Sequence, residues 1–142
     1  MPDITMPKKR TFLDTGVLIT AFCGEEELAK LAFAVIDDPD REFIASDFLM
    51  LELLPKPTFN KKADAVAFYN DYLSGVSEMM RTTPDMTDNA LKLACQHGLT
   101  AIDAIHFQTA IEANVSEFVT TEKTSKPFFQ INVPSLKVIS LC

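Results

Sequence analysis

The sequence predicts an α/β domain, a short parallel sheet of four to five strands with helices on both faces. Two observations lead there. Short apolar stretches recur along the chain, each followed by a longer stretch with apolar residues at helical spacing. The strands are also separated by helical crossovers, which a parallel sheet requires. With 142 residues, no internal repeat and no linker, the chain reads as a single domain over 1–142.

Composition narrows the class. Hydrophobic residues make up 47% and charged residues 23%, an ordinary balance for a soluble globular protein. No apolar run approaches the ~20 residues that span a bilayer. Met1 to Arg10 carries charges and prolines rather than an apolar core, so it does not read as a secretory signal. Cys23, Cys95 and Cys142 are few, odd in number and widely spaced. They fit reduced thiols of a cytoplasmic protein, two in the core and one at the tail. No Cys/His spacing suits zinc. The net charge of -7 argues against passive electrostatic binding of nucleic acid, which would need cations between carboxylates and phosphates. Lys8-Lys9-Arg10 is the one dense basic run and reads as a solvated N-terminal segment.

Thr11 to Leu13 form a buried first strand that ends on Asp14. Ligands collect at the carboxyl ends of strands in open α/β sheets, so an Asp there sits at the rim of a crevice. It is equally suited to cap the next helix, in which Val17, Leu18, Ala21 and Phe22 recur at helical spacing. Gly24 breaks that helix. Glu25-Glu26-Glu27 favour a new start by opposing the positive end of the macrodipole, with Leu28, Leu31, Ala32 and Val35 as the apolar face. Asp37-Asp38-Pro39-Asp40 is a turn; it lacks the Gly and distal Glu of a calcium loop.

Phe43-Ile44-Ala45 is the second strand. Ser46 or Asp47 caps a helix through Leu54, stopped by Pro55 and Pro57. Glu52 is the one charge in its apolar run, and burying a carboxylate without a partner is costly. It must face a polar crevice, a cation or solvent. Asn60 to Ser74 is a helix, closed by Gly75, whose Phe68, Tyr69 and Tyr72 supply core or groove surface. Glu78 to Thr82 is a weak third strand. Pro84 and Thr87 open a helix that closes at His97-Gly98, where Gly fits a left-handed cap.

Thr100 is an N-cap for the following helix, with Asp103 at the capping-box position. Asp103 could instead project from that first turn into the crevice. His106 lies three residues on and reads as a packed or hydrogen-bonded side chain. Glu117 to Thr120 is the fourth strand, with Thr121-Glu122-Lys123 at its carboxyl end. Lys126-Pro127-Phe128-Phe129 reads as a loop with an apolar tip, and Leu136 to Ile139 as the last strand.

Asp14, Glu52, Asp103 and Glu122 thus occupy places that can share one edge of a parallel sheet. Four carboxylates in one crevice stay ionised only when cations neutralise them. Oxygen donors without His or Cys select Mg²⁺ or Mn²⁺. Such sites support phosphoryl transfer or phosphodiester hydrolysis.

On these residues the chain resembles the PIN-domain family, and within it the VapC-type ribonuclease toxins. The match runs from about Thr11 to Ile139. It rests on Phe12-Leu13-Asp14-Thr15, Leu51-Glu52-Leu53-Leu54-Pro55-Lys56, Leu99 to His106, and Phe118 to Lys123. The resemblance implies a PIN-like three-layer sandwich with the first strand central. It implies Mg²⁺- or Mn²⁺-dependent cleavage of RNA by Asp14, Glu52, Asp103 and Glu122. Asp14, Asp103 and Glu122 would be the metal ligands, and Glu52 would hold or activate water. Glu122 stands where the family usually has Asp. Thr15 and Thr120 would orient the cluster or meet substrate. The resemblance also implies a homodimer, and an antitoxin bound in an apolar groove for which Phe48 to Leu54 and Phe68 to Tyr72 are candidates.

Two other readings compete. A phosphatase of the haloacid-dehalogenase type also begins with a strand ending in Asp. It needs a second Asp two residues on, where this chain has Gly16. The other alternative is a non-catalytic PIN-like module that binds protein or RNA.

Overall fold

The computed structural model describes residues 7–142. Most of the Met1 to Arg10 reading therefore lies outside the described residues. The elements run β1 (Lys9–Leu13), α1 (Thr15–Cys23), α2 (Glu26–Ile36), β2 (Arg41–Ser46), α3 (Asp47–Leu53), α4 (Pro55–Phe59) and α5 (Ala63–Ser74). They continue through β3 (Glu78–Met80), α6 (Pro84–His97), α7 (Ala101–Glu112), β4 (Glu117–Thr120) and β5 (Lys137–Ser140). The sheet is five-stranded and parallel, in the order β3-β2-β1-β4-β5. The α/β class, the helical crossovers and the central first strand are as the sequence predicts.

Both faces of the sheet are covered, and the strands read accordingly as continuous apolar runs. Alternation sends neighbouring residues to opposite layers. Leu13, Ala45 and Val119 pack with Val17, Leu18, Leu49, Leu53, Tyr69 and Tyr72 on one side. Phe12, Ile44 and Phe118 pack with Ala104, Phe107, Ala110 and Phe128 on the other. Phe12 stacks on Phe118 with ring centroids 5.7 Å apart, fixing the β1–β4 pairing by side chains as well as by backbone.

Several local expectations need correction. β1 begins at Lys9, so the basic run is not merely a solvated segment. Arg10 donates to Glu78 Oε1 at 2.7 Å and to the Ala113 carbonyl at 2.8 Å, which lets a charged residue extend a central strand. α3 does stop at Leu53, just before Pro55, but helical structure resumes at once: as the first residue of α4, Pro55 needs no backbone N–H and is pre-set for a helix. The Phe128 tip is not exposed. It lies in a 3-10 turn, Pro127–Gln130, and is buried against Phe107 and Phe118. All three cysteines are exposed, none in the core. Leu31 is exposed too, so α2 buries only Ala32 and Val35 fully.

Caps follow the sequence closely. Ser46 accepts from Leu49 N, Thr83 from Met86 N and Thr100 from Asp103 N. Gly98 closes α6 at φ 71°, a conformation that favours glycine. Among the described residues no helix is long and apolar enough to cross a membrane.

Candidate metal centre and active site

Parallel topology gathers the candidate residues at one edge. Asp14 follows β1 and Glu122 follows β4, both at strand carboxyl ends. Glu52 is on α3, the helix that leaves β2 at the same edge. α7 feeds β4 and must run back along the sheet, so its first turn, with Asp103, begins at that edge.

Asp14 is held on three sides. Its backbone N–H donates to the Val119 carbonyl at 2.9 Å, continuing the β1–β4 ladder. Oδ1 accepts from Thr15 N at 2.9 Å, the N-cap bond of α1. Oδ2 accepts from the Thr120 hydroxyl at 3.1 Å. The cap role and the rim role are therefore both met by one side chain. The residue is only 8% exposed. Burial pushes its carboxyl above the usual range, and the nearby charges of Asp103 and Glu52 push the same way; His106 and the Thr120 bond oppose them.

Glu52 finds partners that resolve the anomaly of a charge in an apolar run. Its Oε1 accepts from the Thr15 hydroxyl at 2.7 Å and lies 2.8 Å from His106 Nε2. The His106 bond, and after it the Thr15 bond, holds this carboxyl below its ordinary range against the opposing effect of burial. Glu52 remains 27% exposed, so the side chain still reaches the crevice.

Asp14, Glu52 and His106 each offer one donor atom, and these atoms lie within 4.8 Å of one another. That is a donor set able to hold a metal ion, two carboxylates and an imidazole. Asp103 and Glu122 stand just outside it. They share Lys126, whose Nζ is 3.7 Å from Asp103 Oδ2 and 3.9 Å from Glu122 Oε2. Glu122 is the most open of the acids, at 45% side-chain exposure. Its backbone N–H donates to the Thr120 hydroxyl at 3.0 Å. Thr120 thus ties the turn after β4 to Asp14, and Thr15 ties α1 to Glu52.

Thr15, Glu52, Asp14 and Thr120 are brought into one hydrogen-bonded cluster, with Asp103 and Glu122 at its margin. His106 is the member that sequence reasoning passed over as packed or hydrogen-bonded. It is both, and its partner is a crevice carboxylate. The available signal was a lone imidazole inside an apolar run, three residues after Asp103. Gly16 matters here for close approach: a Cβ on it would lie 2.5 Å from Thr121 Oγ1, so a side chain there would require the Thr121 hydroxyl to shift.

The fold and site define an α/β protein with an acidic crevice, able to hold a cation, at the carboxyl edge of a parallel sheet. The model of the PIN domain matches residues 11–125, and the chain belongs to the PIN domain family. Solved structures share its fold. A toxin–antitoxin complex from Klebsiella pneumoniae aligns with a TM-score of 0.65 at 22% identity, covering 93% of this chain and 98% of that one. VapBC2 from Rickettsia felis, bound to a DNA fragment from its promoter, aligns at 0.66 and 19% identity, covering 91% and 96%. DNA-bound VapBC from Salmonella typhimurium aligns at 0.62 and 15% identity, covering 96% and 100%. No curated protein matches the chain in sequence.

Proposed function

We propose that this chain is a ribonuclease that depends on Mg²⁺ or Mn²⁺ and acts in the cytoplasm as the toxin of a toxin–antitoxin pair. The observation that carries this reading is the close pair of carboxylates Asp14 and Glu52, with Asp103 beside them, at the carboxyl edge of a PIN-domain sheet. In this reading Asp14 and Asp103 hold the cation, with Glu122 at the margin of the site. A divalent cation supplies charge neutralisation to a phosphodiester and acidifies water. The chain's own groups do the rest. Glu52, held ionised by its hydrogen bonds, orients water and accepts its proton. Thr120 and Thr15 keep Asp14 and Glu52 in place.

The acidic balance of the chain supports a cation-bridged substrate. With a net charge of -7, phosphates gain little from the protein surface unless a metal stands between them and the carboxylates. The toxin–antitoxin neighbours support an antitoxin partner for this chain.

The test is cleavage of a panel of structured RNAs by purified protein with Mn²⁺ or Mg²⁺, with EDTA, and with Asp14→Asn. Metal-dependent cleavage that is lost in the variant is expected. No cleavage together with no metal binding by calorimetry would return the chain to a non-catalytic binding module.

A further inference from the structure

His106 is buried to 1% exposure, yet it has one polar tie. Its Nε2 faces Glu52 Oε1 at 2.8 Å, and its Nδ1 is buried with no hydrogen-bond partner among the described residues. The ring sits between Phe12 and Phe48, with centroids 5.9 and 5.7 Å away. Hydrogen-bond accounting fixes its tautomer. A carboxylate oxygen can only accept, so the proton is on Nε2; a proton on Nδ1 would be a buried donor with no acceptor.

The same Oε1 also takes the Thr15 hydroxyl at 2.7 Å. Two donors, from α1 and α7, converge on one oxygen of a side chain from α3. Glu52 Oε2 has no hydrogen bond among the described residues. A glutamate has three rotatable side-chain bonds, and nothing else in the site would fix it.

We infer that His106 is a positioning residue for Glu52, anchoring Oε1 through Nε2–H so that Oε2 is left as the oxygen offered to the cation crevice. This rests on the metal-dependent nuclease reading. His106 does not itself ligate: its Nε2 is committed to Glu52, and its Nδ1 is sealed in the aromatic bed. Partners of this kind typically contribute 10- to 100-fold to metal affinity or activity.

The experiment has two arms. The first is a long-range proton–nitrogen NMR correlation of the metal-free protein, simplified by there being only two histidines, His97 and His106. A proton on Nε2 of His106 is expected; a ring protonated on Nδ1 alone, with Nε2 bare, overturns the proposal whatever the metal does. The second is calorimetric Mn²⁺ titration of wild type, His106→Gln and His106→Leu, with thermal melts of each. Glutamine carries an amide N–H at the reach of Nε2, so its affinity should stay within about threefold of wild type, while leucine loses about tenfold or more. Equal loss in both variants would mean that the imidazole is itself required as a ligand. Unchanged affinity in His106→Leu would remove the positioning role. If His106→Leu does not fold, His106→Gln and the NMR arm still decide. Absence of Mn²⁺ binding by wild type sinks the nuclease reading, and the imidazole spectrum reports separately on the tie.

Discussion

Thr120 and Asp14 are 106 positions apart in sequence and joined by a 3.1 Å hydrogen bond between adjacent central strands. The Thr120 hydroxyl is fully buried, donates to Asp14 Oδ2 and accepts from the Glu122 backbone. Thr120→Val keeps the shape and removes both bonds. It should cost about 2 kcal/mol, since one of the two partners is a carboxylate. Urea melts of the metal-free protein check the loss, and a cleavage assay should register at least a tenfold fall. A stable, fully active valine variant would deny the hydroxyl its role.

Asp14→Asn should separate stability from function. Asparagine caps a helix as well as aspartate does, and it carries no charge to be desolvated. The metal-free variant should melt a few degrees above wild type at neutral pH, the scale on which ~1 kcal/mol registers for a chain of this size. Added Mn²⁺ should raise the melting temperature of wild type, by about 2.7 kcal/mol of stability at a hundredfold excess over Kd, and leave the variant unmoved. A drop in the metal-free melting temperature would count against a crowded acidic site.

At the opposite edge of the sheet, Arg41 on β2 reaches across β1 to Glu117 on β4, with Nε 2.9 Å from Oε1. Burial pushes the Glu117 carboxyl up, but hydrogen bonds from Arg41 and Thr11 outweigh it and hold the group below its ordinary value of 4.5. The folded state therefore binds fewer protons there than the unfolded chain. Its stabilisation is complete above about pH 4.5 and is lost as pH falls through the depressed folded value. Stability measured from pH 6 downward should decline in that window, and Glu117→Gln should flatten the decline. Arg41→Met leaves a buried carboxylate without its cation and should cost about 3 kcal/mol at neutral pH.

Asp103 and Glu122 should not be equal. Asp103 lies beside Asp14, and its charge is felt there; Glu122 is half open and shares Lys126. Asp103→Asn should lower cleavage by a hundredfold or more, at the level expected for removing a charge that holds the metal, and Glu122→Gln by less than tenfold. Steady-state kinetics on one cleaved RNA compares them directly. Equal losses would place Glu122 among the groups that hold the metal.

The layered fold was legible because Phe12, Leu13, Ile44, Phe118 and Val119 are buried on both faces and leave continuous apolar runs. Asp14 and Asp103 were legible because strand ends and helix starts fix their edge. What stayed hidden depends on contacts distant in sequence. Arg10 looks solvated until Glu78 and the Ala113 carbonyl arrive to receive it, while Lys9 beside it does stay exposed. Phe128 looks like an exposed tip until the 3-10 turn folds it onto Phe107 and Phe118. His106 looks like core because its immediate sequence neighbours are apolar, whereas its polar partner Glu52 lies 54 positions away. Cys23 and Cys95 were expected inside on residue type alone, but they occupy outward positions on α1 and α6.

The place of β1 between β2 and β4 has a consequence for the chain as it is made. Synthesis delivers domains from the amino terminus, and parallel pairing cannot form until its distant partner is present. Asp14 is made well before the strand that seats it, Glu117–Thr120. A nascent chain therefore carries Asp14 and Glu52 long before it carries the crevice. If the finished crevice cuts RNA, the cutting edge cannot exist until Glu117–Thr120 has been made and has paired with β1.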